Sequence, residues 1–275
     1  MARFKGKFIV GSIGPVTYRR SKSGGVISKR AKDVKQTEAT KKSARFFGRV
    51  ASFAKVLRLQ LGNICQQDTT LMTRLNKELL AVMLNCYTKE TKTYNFDNDY
   101  FSRLDGLELN ADSSLREYLW TEPVVDLSEN KLAIHIPELI GGVEVKFPNS
   151  ASHCQVQIQV MQFDLRGGHY QKSPLIGFTL EQDGVVIPAQ DFLVDVVPGV
   201  LCIVGLGLRF FKAEYGMHVL LNSIELSPAA LLFAKFNQGV FSEQVSKQTK
   251  TVHEDGSSEG RINIFWPHAH AGFKN

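Results

Sequence analysis

The longest helical pattern in the chain lies between Asp33 and Gly62. Apolar residues recur there every three to four positions, which is the spacing of one helix face: Phe46, Val50, Phe53, Leu57 and Leu61. A basic set falls on another side of the same helix: Lys41, Lys42, Arg45 and Arg49. Asp33 with Gln36 fits a capping box, and Gly62 fits a helix end. The pattern predicts an amphipathic helix with one face toward a core and the other toward water or an anion.

A second helical pattern follows at residues 68–87. Its apolar positions have the same periodicity: Leu71, Leu75, Leu79, Val82 and Cys86. Asp68 or Thr69 is suited to cap its first turn. The short connection between the two patterns predicts an antiparallel two-helix hairpin.

The chain before the helices has the looser alternation of extended backbone. Residues 4–12 and 15–20 alternate between apolar and polar side chains, residues 21–25 form a glycine-rich turn, and residues 26–28 resume the extended pattern. We therefore expect an N-terminal basic β-hairpin. Its basic residues are candidates for partner binding: Arg19, Arg20, Lys22, Lys29 and Arg30.

From residue 131 onward, short alternating runs separated by turn residues predict strands. The predicted strands are Leu132–Ile136, Val143–Phe147, Gln155–Phe163, Leu175–Leu180, Phe192–Val197, Leu201–Phe211 and Met217–Leu226. Pro228 favours a short helix through Leu232. The predicted class is α+β, with a basic hairpin and two helices in residues 1–90, an acidic and aromatic connection in residues 91–130, and an antiparallel β-sandwich-like body in residues 131–275.

The charge of the chain is strongly divided. Residues 1–60 contain 16 Lys and Arg but only two acidic residues, a net charge of +14, whereas the remainder carries −8. This division favours a basic arm that meets an acidic partner. The alternative is that the basic segment neutralises the acidic body of its own chain.

The sequence shows neither a secretory signal nor a long apolar run, and this bears on its compartment and on membrane association. The apolar island at residues 8–10 is far shorter than the roughly 7–15 residues of a secretory signal, and no run approaches about 18 apolar residues. The four cysteines are widely spaced, so we expect buried free thiols in a reducing compartment. We predict a cytoplasmic protein that does not bind membranes.

The motifs of common enzymes are missing from the sequence. There is no nucleophile elbow, zinc-protease helix or dinucleotide fingerprint, and Gly205-Leu206-Gly207 lacks the third glycine. His268 and His270 have ligand-like spacing, but a metal site needs a further ligand. We expect a non-enzymatic protein without a cofactor, and a metal-dependent enzyme is the third hypothesis.

Two kinds of partner suit the basic segment. Residues 1–60 could neutralise phosphates of a nucleic acid, with Phe4, Phe8 and Tyr18 stacking on bases. However, the sequence has no helix-turn-helix, zinc-finger or RRM signature. We therefore rank a structural or assembly protein, a homo-oligomer or a complex with an acidic partner, above a nonspecific nucleic-acid binder.

One family resemblance bears on this ranking. Gly11-x-x-Gly14-x-Val16, Tyr18-Arg19-Arg20, and Thr37 followed by Phe46-Phe47 resemble the start of small uncharacterised proteins from Bacteroidota. The likeness covers about the first 60 residues, and this chain has a more basic hairpin tip than those proteins. The resemblance implies a bacterial or phage-associated, non-enzymatic protein and assigns no site residue.

Overall fold

The fold was analysed in a computed structural model. It describes residues 2–21, 24–30, 36–173 and 175–241, and the backbone alone of residues 258–261. The chain divides into two compact units, an N-terminal unit of residues 1–46 and a C-terminal unit of residues 47–275. The division falls inside the first helix.

Two α-helices follow the predicted patterns, with shorter bounds: α1 is Glu38–Leu61 and α2 is Leu71–Cys86. The hydroxyl of Thr37 accepts a hydrogen bond from the Thr40 N–H at 3.2 Å and so caps α1. The predicted cap, Asp33, lies outside the described residues. The predicted apolar face of α1 is buried from Val50 onward, and the helix ends before Gly62 as predicted.

The N-terminal unit contains a four-stranded antiparallel sheet, here called the N-terminal sheet. Its strands, in both chain and spatial order, are β1 Arg3–Lys5, β2 Phe8–Ile13, β3 Val16–Ser21 and β4 Gly24–Lys29. Gly6 and Gly14 have positive φ angles of 64° and 54° in the first two turns, a conformation that glycine adopts without strain. The predicted hairpin is thus part of a larger meander.

The strands of the C-terminal unit are β5 Tyr87–Thr88, β6 Thr93–Tyr94, β7 Val124–Ser128, β8 Lys131–Ile136, β9 Leu139–Ile140, β10 His153–Asp164, β11 His169–Lys172, β12 Ile176–Glu181, β13 Val186–Ile187, β14 Gln190–Asp195, β15 Leu201–Glu214, β16 Met217–Leu220, β17 Ala229–Phe236 and β18 Ser258–Arg261. Strands β10 and β15 pair along most of their length and form the centre of the largest sheet. The outer edge of β10 pairs with β12 and β11, and that of β15 pairs with β17 and β16.

A second, three-stranded sheet has the order β14-β8-β7. Its inward side chains share one hydrophobic core with those of β10 and β15; the core includes Leu132, Ile134 and Ile136 of β8 with Val156 and Ile158 of β10. Two antiparallel sheets therefore face each other across a common core. Together with the two helices, this arrangement confirms the predicted α+β class.

The end of α1 packs closely on the large sheet. The ring of Phe53 meets that of Phe163 edge-on, with centroids 5.2 Å apart. After the helix, Ile64 lies against Gly205 and Gly207 of β15. The glycine pair that resembled part of a nucleotide-binding fingerprint thus gives the chain space to cross the strand.

Three element predictions were wrong. Residues 229–236 form strand β17, not a helix, because they pair with β15 along one of its edges. Residues 143–147 form a turn with isolated bridges in place of a strand. The segment 91–130, expected as a connection, buries several of its side chains and contains β6 and β7: Tyr94, Phe96, Phe101, Leu104 and Leu109 are all buried.

The four cysteines agree with the prediction of buried free thiols. All four are buried and unpaired. Burial raises the pKa of Cys65, Cys86 and Cys202 to about 12, and it raises the pKa of Cys154 as well. At neutral pH these thiols are protonated and poorly nucleophilic.

Candidate functional site

The register of the N-terminal sheet separates its side chains into two chemically different faces. Directly opposite residues of neighbouring strands point to the same side. Val16 lies between Ile13 and Lys29, Tyr18 between Gly11 and Ile27, and Arg20 faces Gly25. We call this side the apolar face; its side chains are Phe8, Ile13, Val16, Tyr18, Arg20, Ile27 and Lys29.

Phe8 belongs to this face by its contacts. The guanidinium carbon of Arg20 lies 5.3 Å from the centroid of the Phe8 ring, a cation–π contact. A Cβ on Gly25 would be 3.4 Å from the same ring, so the glycine leaves room for it. The positive charge of Arg20 therefore lies over the Phe8 ring at one end of the apolar face.

The opposite side of strands β2, β3 and β4 carries hydroxyl groups together with Val26. Ser12 and Thr17 share a hydrogen bond of 3.0 Å between their hydroxyl oxygens, and the Ser28 hydroxyl donates to the Thr17 carbonyl at 3.4 Å. Arg19 and Val26, which face each other across β3 and β4, lie on this side. Arg19 and Arg20 thus point in opposite directions, and the predicted basic residues of the hairpin do not form one patch.

The apolar face carries exposed apolar side chains in the described part of the chain. No described residue between 2 and 46 is buried, and Ile27 and Ile13 are 65% and 51% exposed. A sheet needs a second layer over its hydrophobic side to be stable in water. Contiguous exposed apolar surface that is bordered by charge is typical of a protein interaction site.

The predicted basic residues are all exposed where the structure describes them: Arg19, Arg20, Lys29, Arg30, Lys41, Lys42, Arg45 and Arg49. Lys22 lies outside the described residues. Within this set, Lys41 has a carboxylate partner, Glu38, at 2.8 Å, and no other member has an ion pair among the described residues. These positive charges are therefore available to a partner. Some of them lie on the apolar face of the N-terminal sheet, and others lie on the basic side of α1.

A polar cluster at the start of β10 was not recognised in the sequence. The Ser152 hydroxyl lies 2.8 Å from His153 Nδ1, and His153 Nε2 lies 3.7 Å from a Glu181 carboxylate oxygen. The His218 ring meets that of His153 edge-on at 4.5 Å. Ser152, His153 and Glu181 border an open groove with Gln182 and Asp183. Ser152 and His153 are adjacent in sequence, but strand pairing places Glu181 and His218 beside them. No sequence motif predicts that pairing.

This cluster lacks the arrangement of a hydrolytic triad. The Ser152 hydroxyl accepts the Ala213 N–H at 2.9 Å and also lies 3.4 Å from the Phe211 carbonyl, so it ties two strands together. The distance from His153 to Glu181 exceeds that of a hydrogen bond. Cys154 points into the core, as expected from strand alternation, and does not pair with His153.

Metal ligands do not converge in the described part of the chain. No group of three or more His, Cys, Asp or Glu with metal-binding geometry occurs there. The predicted candidates, His268 and His270, lie outside the described residues.

No family model matches this sequence, and no curated protein matches it either.

Neither α1 nor α2 combines the length and the apolar content that crossing a membrane requires, and the same holds for every helix in the described residues.

Proposed function

We propose that this protein is a non-enzymatic assembly protein whose basic N-terminal sheet contacts an acidic surface on a neighbouring subunit. The observation that carries the proposal is the exposed apolar face of the N-terminal sheet, with Arg20 and Lys29 at its two ends. Burying this face removes apolar side chains from water, which contributes roughly 25 cal/mol for each Å² covered.

Charge supports a second copy of the chain as the partner. The +14 of residues 1–60 and the −8 of the remainder are carried by the same molecule. Two copies therefore offer each other a basic and an acidic surface, and their attraction steers association. An oligomer built in this way needs no other component.

Nucleic acid is the second candidate, and the exposed basic residues without carboxylate partners favour it. Phosphate binding would use these charges and would give affinity that falls steeply with salt. The apolar face argues for a protein partner, because its aliphatic side chains Ile13, Val16 and Ile27 gain little from a phosphate backbone.

The experiment is light scattering on nuclease-treated protein over a range of concentrations, at low and high salt. We expect a mass above the 30.7 kDa of one chain, increasing with concentration. The variant R19A/R20A/K29A/R30A should have the mass of a monomer. A matched control, K55A/K77A/K89A/R116A, removes four positive charges from exposed residues of the C-terminal unit and should assemble like the wild type.

Two results would overturn the assembly proposal. A 30.7-kDa species at every concentration in low salt would exclude self-assembly. A monomer whose ratio of absorbance at 260 to 280 nm falls on nuclease treatment would establish nucleic-acid binding in its place.

A further inference from the structure

A second exposed surface in the chain complements the apolar face of the N-terminal sheet. It is the outward side of the three-stranded sheet β14-β8-β7, here called the outer face. Resting on the proposed function, we propose that the apolar face of one copy docks on the outer face of a second copy. The contact is then head-to-tail, because the two surfaces are different.

The register of the three strands defines the outer face. Its side chains form three rows across the sheet, which are Val124–His135–Asp191, Asp126–Ala133–Leu193 and Ser128–Lys131–Asp195. It carries three aspartates against one lysine, so acidic groups predominate on it. Val124, Ala133 and Leu193 form a short apolar diagonal between them. The face thus combines acidic and apolar groups, as the apolar face of the N-terminal sheet combines basic and apolar ones.

The outer face carries exposed apolar side chains in the described part of the chain. Leu193 and Val124 are 73% and 60% exposed, whereas the alternate positions of the same strands point into the core. Large aliphatic side chains exposed on the two outer strands of a sheet are a hydrophobic surface that a partner can cover. Each of the two faces thus carries exposed apolar side chains.

The spacing of charge and apolar groups matches between the two faces. On β14, Asp191, Leu193 and Asp195 alternate along one side, so the two carboxylates are about 13 Å apart with a leucine between them. On the apolar face, Lys29 and Arg20 lie at opposite ends of the paired strands β3 and β4, also about 13 Å apart along the strands. Tyr18 and Ile27 lie between them.

This match allows both charges and the central apolar groups to be paired at once. With the sheets stacked at about 10 Å, Leu193 meets Tyr18 and Ile27 while each aspartate faces one basic side chain. Asp191 is already oriented, because one of its oxygens lies 2.7 Å from His135 Nδ1. Its other oxygen remains for Arg20 or Lys29.

The size of the surface sets the expected strength. Three strands of about six residues span roughly 14 Å by 20 Å, which is small compared with the roughly 800 Å² that each partner buries in a stable complex. A single contact is therefore weak and sensitive to salt. Because a head-to-tail contact leaves one free surface of each kind, assembly continues into a ring or a filament.

The test uses two full-length variants, each blocked on one face. R20E/K29E inverts the charge of the apolar face and keeps the outer face, whereas D191K/D195K does the reverse. We expect each variant alone to sediment as a monomer. In an equimolar mixture the native apolar face of D191K/D195K meets the native outer face of R20E/K29E. The inverted apolar face of R20E/K29E also meets the inverted outer face of D191K/D195K, so both charge pairings are restored and the mixture should assemble with the two variants alternating. The control D97K/D99K carries the same change of charge on exposed residues outside the outer face and should assemble like the wild type.

The outcomes separate this inference from the proposed function. If D191K/D195K assembles like the wild type while R20E/K29E is monomeric, the assembly function stands and the outer face is not the partner surface. If the two variants remain monomeric when mixed, although circular dichroism shows both folded, the head-to-tail pairing is wrong. If the wild type is monomeric, both proposals fail.

Discussion

At the scale of single residues, the most strongly bound charge of the described chain is that of Asp68. One carboxylate oxygen accepts the backbone N–H groups of Thr70 and Leu71 at the start of α2, and the other accepts the Ala111 N–H at 2.8 Å and an N–H of Arg74. Arg74 also donates to the Glu108 carbonyl at 2.6 Å. This buried network joins the start of α2 to residues 108–111.

Replacing Asp68 by asparagine is expected to lower the free energy of unfolding by about 3 kcal/mol, because the Arg74 charge loses its buried partner. Urea unfolding at pH 7 measures the change. The control is Glu78→Gln, whose partner Arg103 is half exposed, and it should cost less than about 1 kcal/mol. Equal losses in the two variants would contradict the role of burial.

The same network fixes the direction of the pH dependence. Burial acts to raise the pKa of Asp68, but the hydrogen bonds from Thr70 and Ala111 and the charge of Arg74 outweigh it and lower the pKa to about 2. The unfolded value is about 3.9. The contribution of this carboxylate is therefore complete above about pH 5 and is lost as the pH falls through 4 toward 2. The difference between wild type and Asp68→Asn should narrow over that range.

At the scale of elements, two glycines of β15 determine how closely the chain after α1 crosses the large sheet. A Cβ on Gly207 would lie 2.2 Å from the backbone oxygen of Ile64. A Cβ on Gly205 would lie 2.8 Å from a methyl group of Leu61 and 2.9 Å from one of Ile64, both at the ends of flexible side chains. The backbone contact cannot be relieved by a change of rotamer.

Gly207→Ala is therefore expected to destabilise the protein by about 3 kcal/mol, and Gly205→Ala by only about 1 kcal/mol. Thermal and urea unfolding of the two variants provide the comparison, and each serves as the control for the other. A smaller effect at position 207 than at position 205 would show that the crossing is not held as the structure has it.

Elements with one buried face were predictable, since burial leaves a period in the sequence. The helices and strands β8, β12 and β14 follow this rule. Strands β10 and β15 are largely buried on both sides and were predicted from their extended runs between turn residues. Strand β17 was not predicted, because it is largely buried on both sides. Its first residues, Ala-Ala-Leu-Leu, therefore show no alternation and favour a helix in the sequence. The burial of the aromatic residues in 94–104 was not predicted, because an irregular backbone leaves no hydrophobic periodicity in the sequence. Sequence predicted the basic charge of the N-terminal sheet but not its faces, which depend on strand register.

At the scale of the whole molecule, the two units differ in what holds them together. Every buried side chain of the described residues lies at Val50 or later, so the core belongs entirely to the C-terminal unit. The N-terminal sheet is held by its backbone hydrogen bonds and by contacts at its surface. Its apolar residues are consistent with a role outside the chain's own core.

Deleting residues 2–36 tests this division of roles, because it removes all four strands of the N-terminal sheet and keeps α1 with its Thr37 cap. We expect the truncated protein to unfold cooperatively, with a free energy of unfolding within about 1 kcal/mol of that of the wild type, since no core residue is lost. A loss of several kcal/mol would mean that the core depends on the sheet.

The truncated chain should also change the assembly of the full-length protein. It lacks the apolar face but keeps the outer face, so it can accept a neighbour and cannot dock on one. Added in small amounts to the full-length protein, it should therefore cap growing assemblies and lower their mean mass in light scattering, whereas the truncated chain carrying D191K/D195K should have no effect. A head-to-tail contact requires this asymmetry, because blocking either surface of a subunit ends growth in one direction alone.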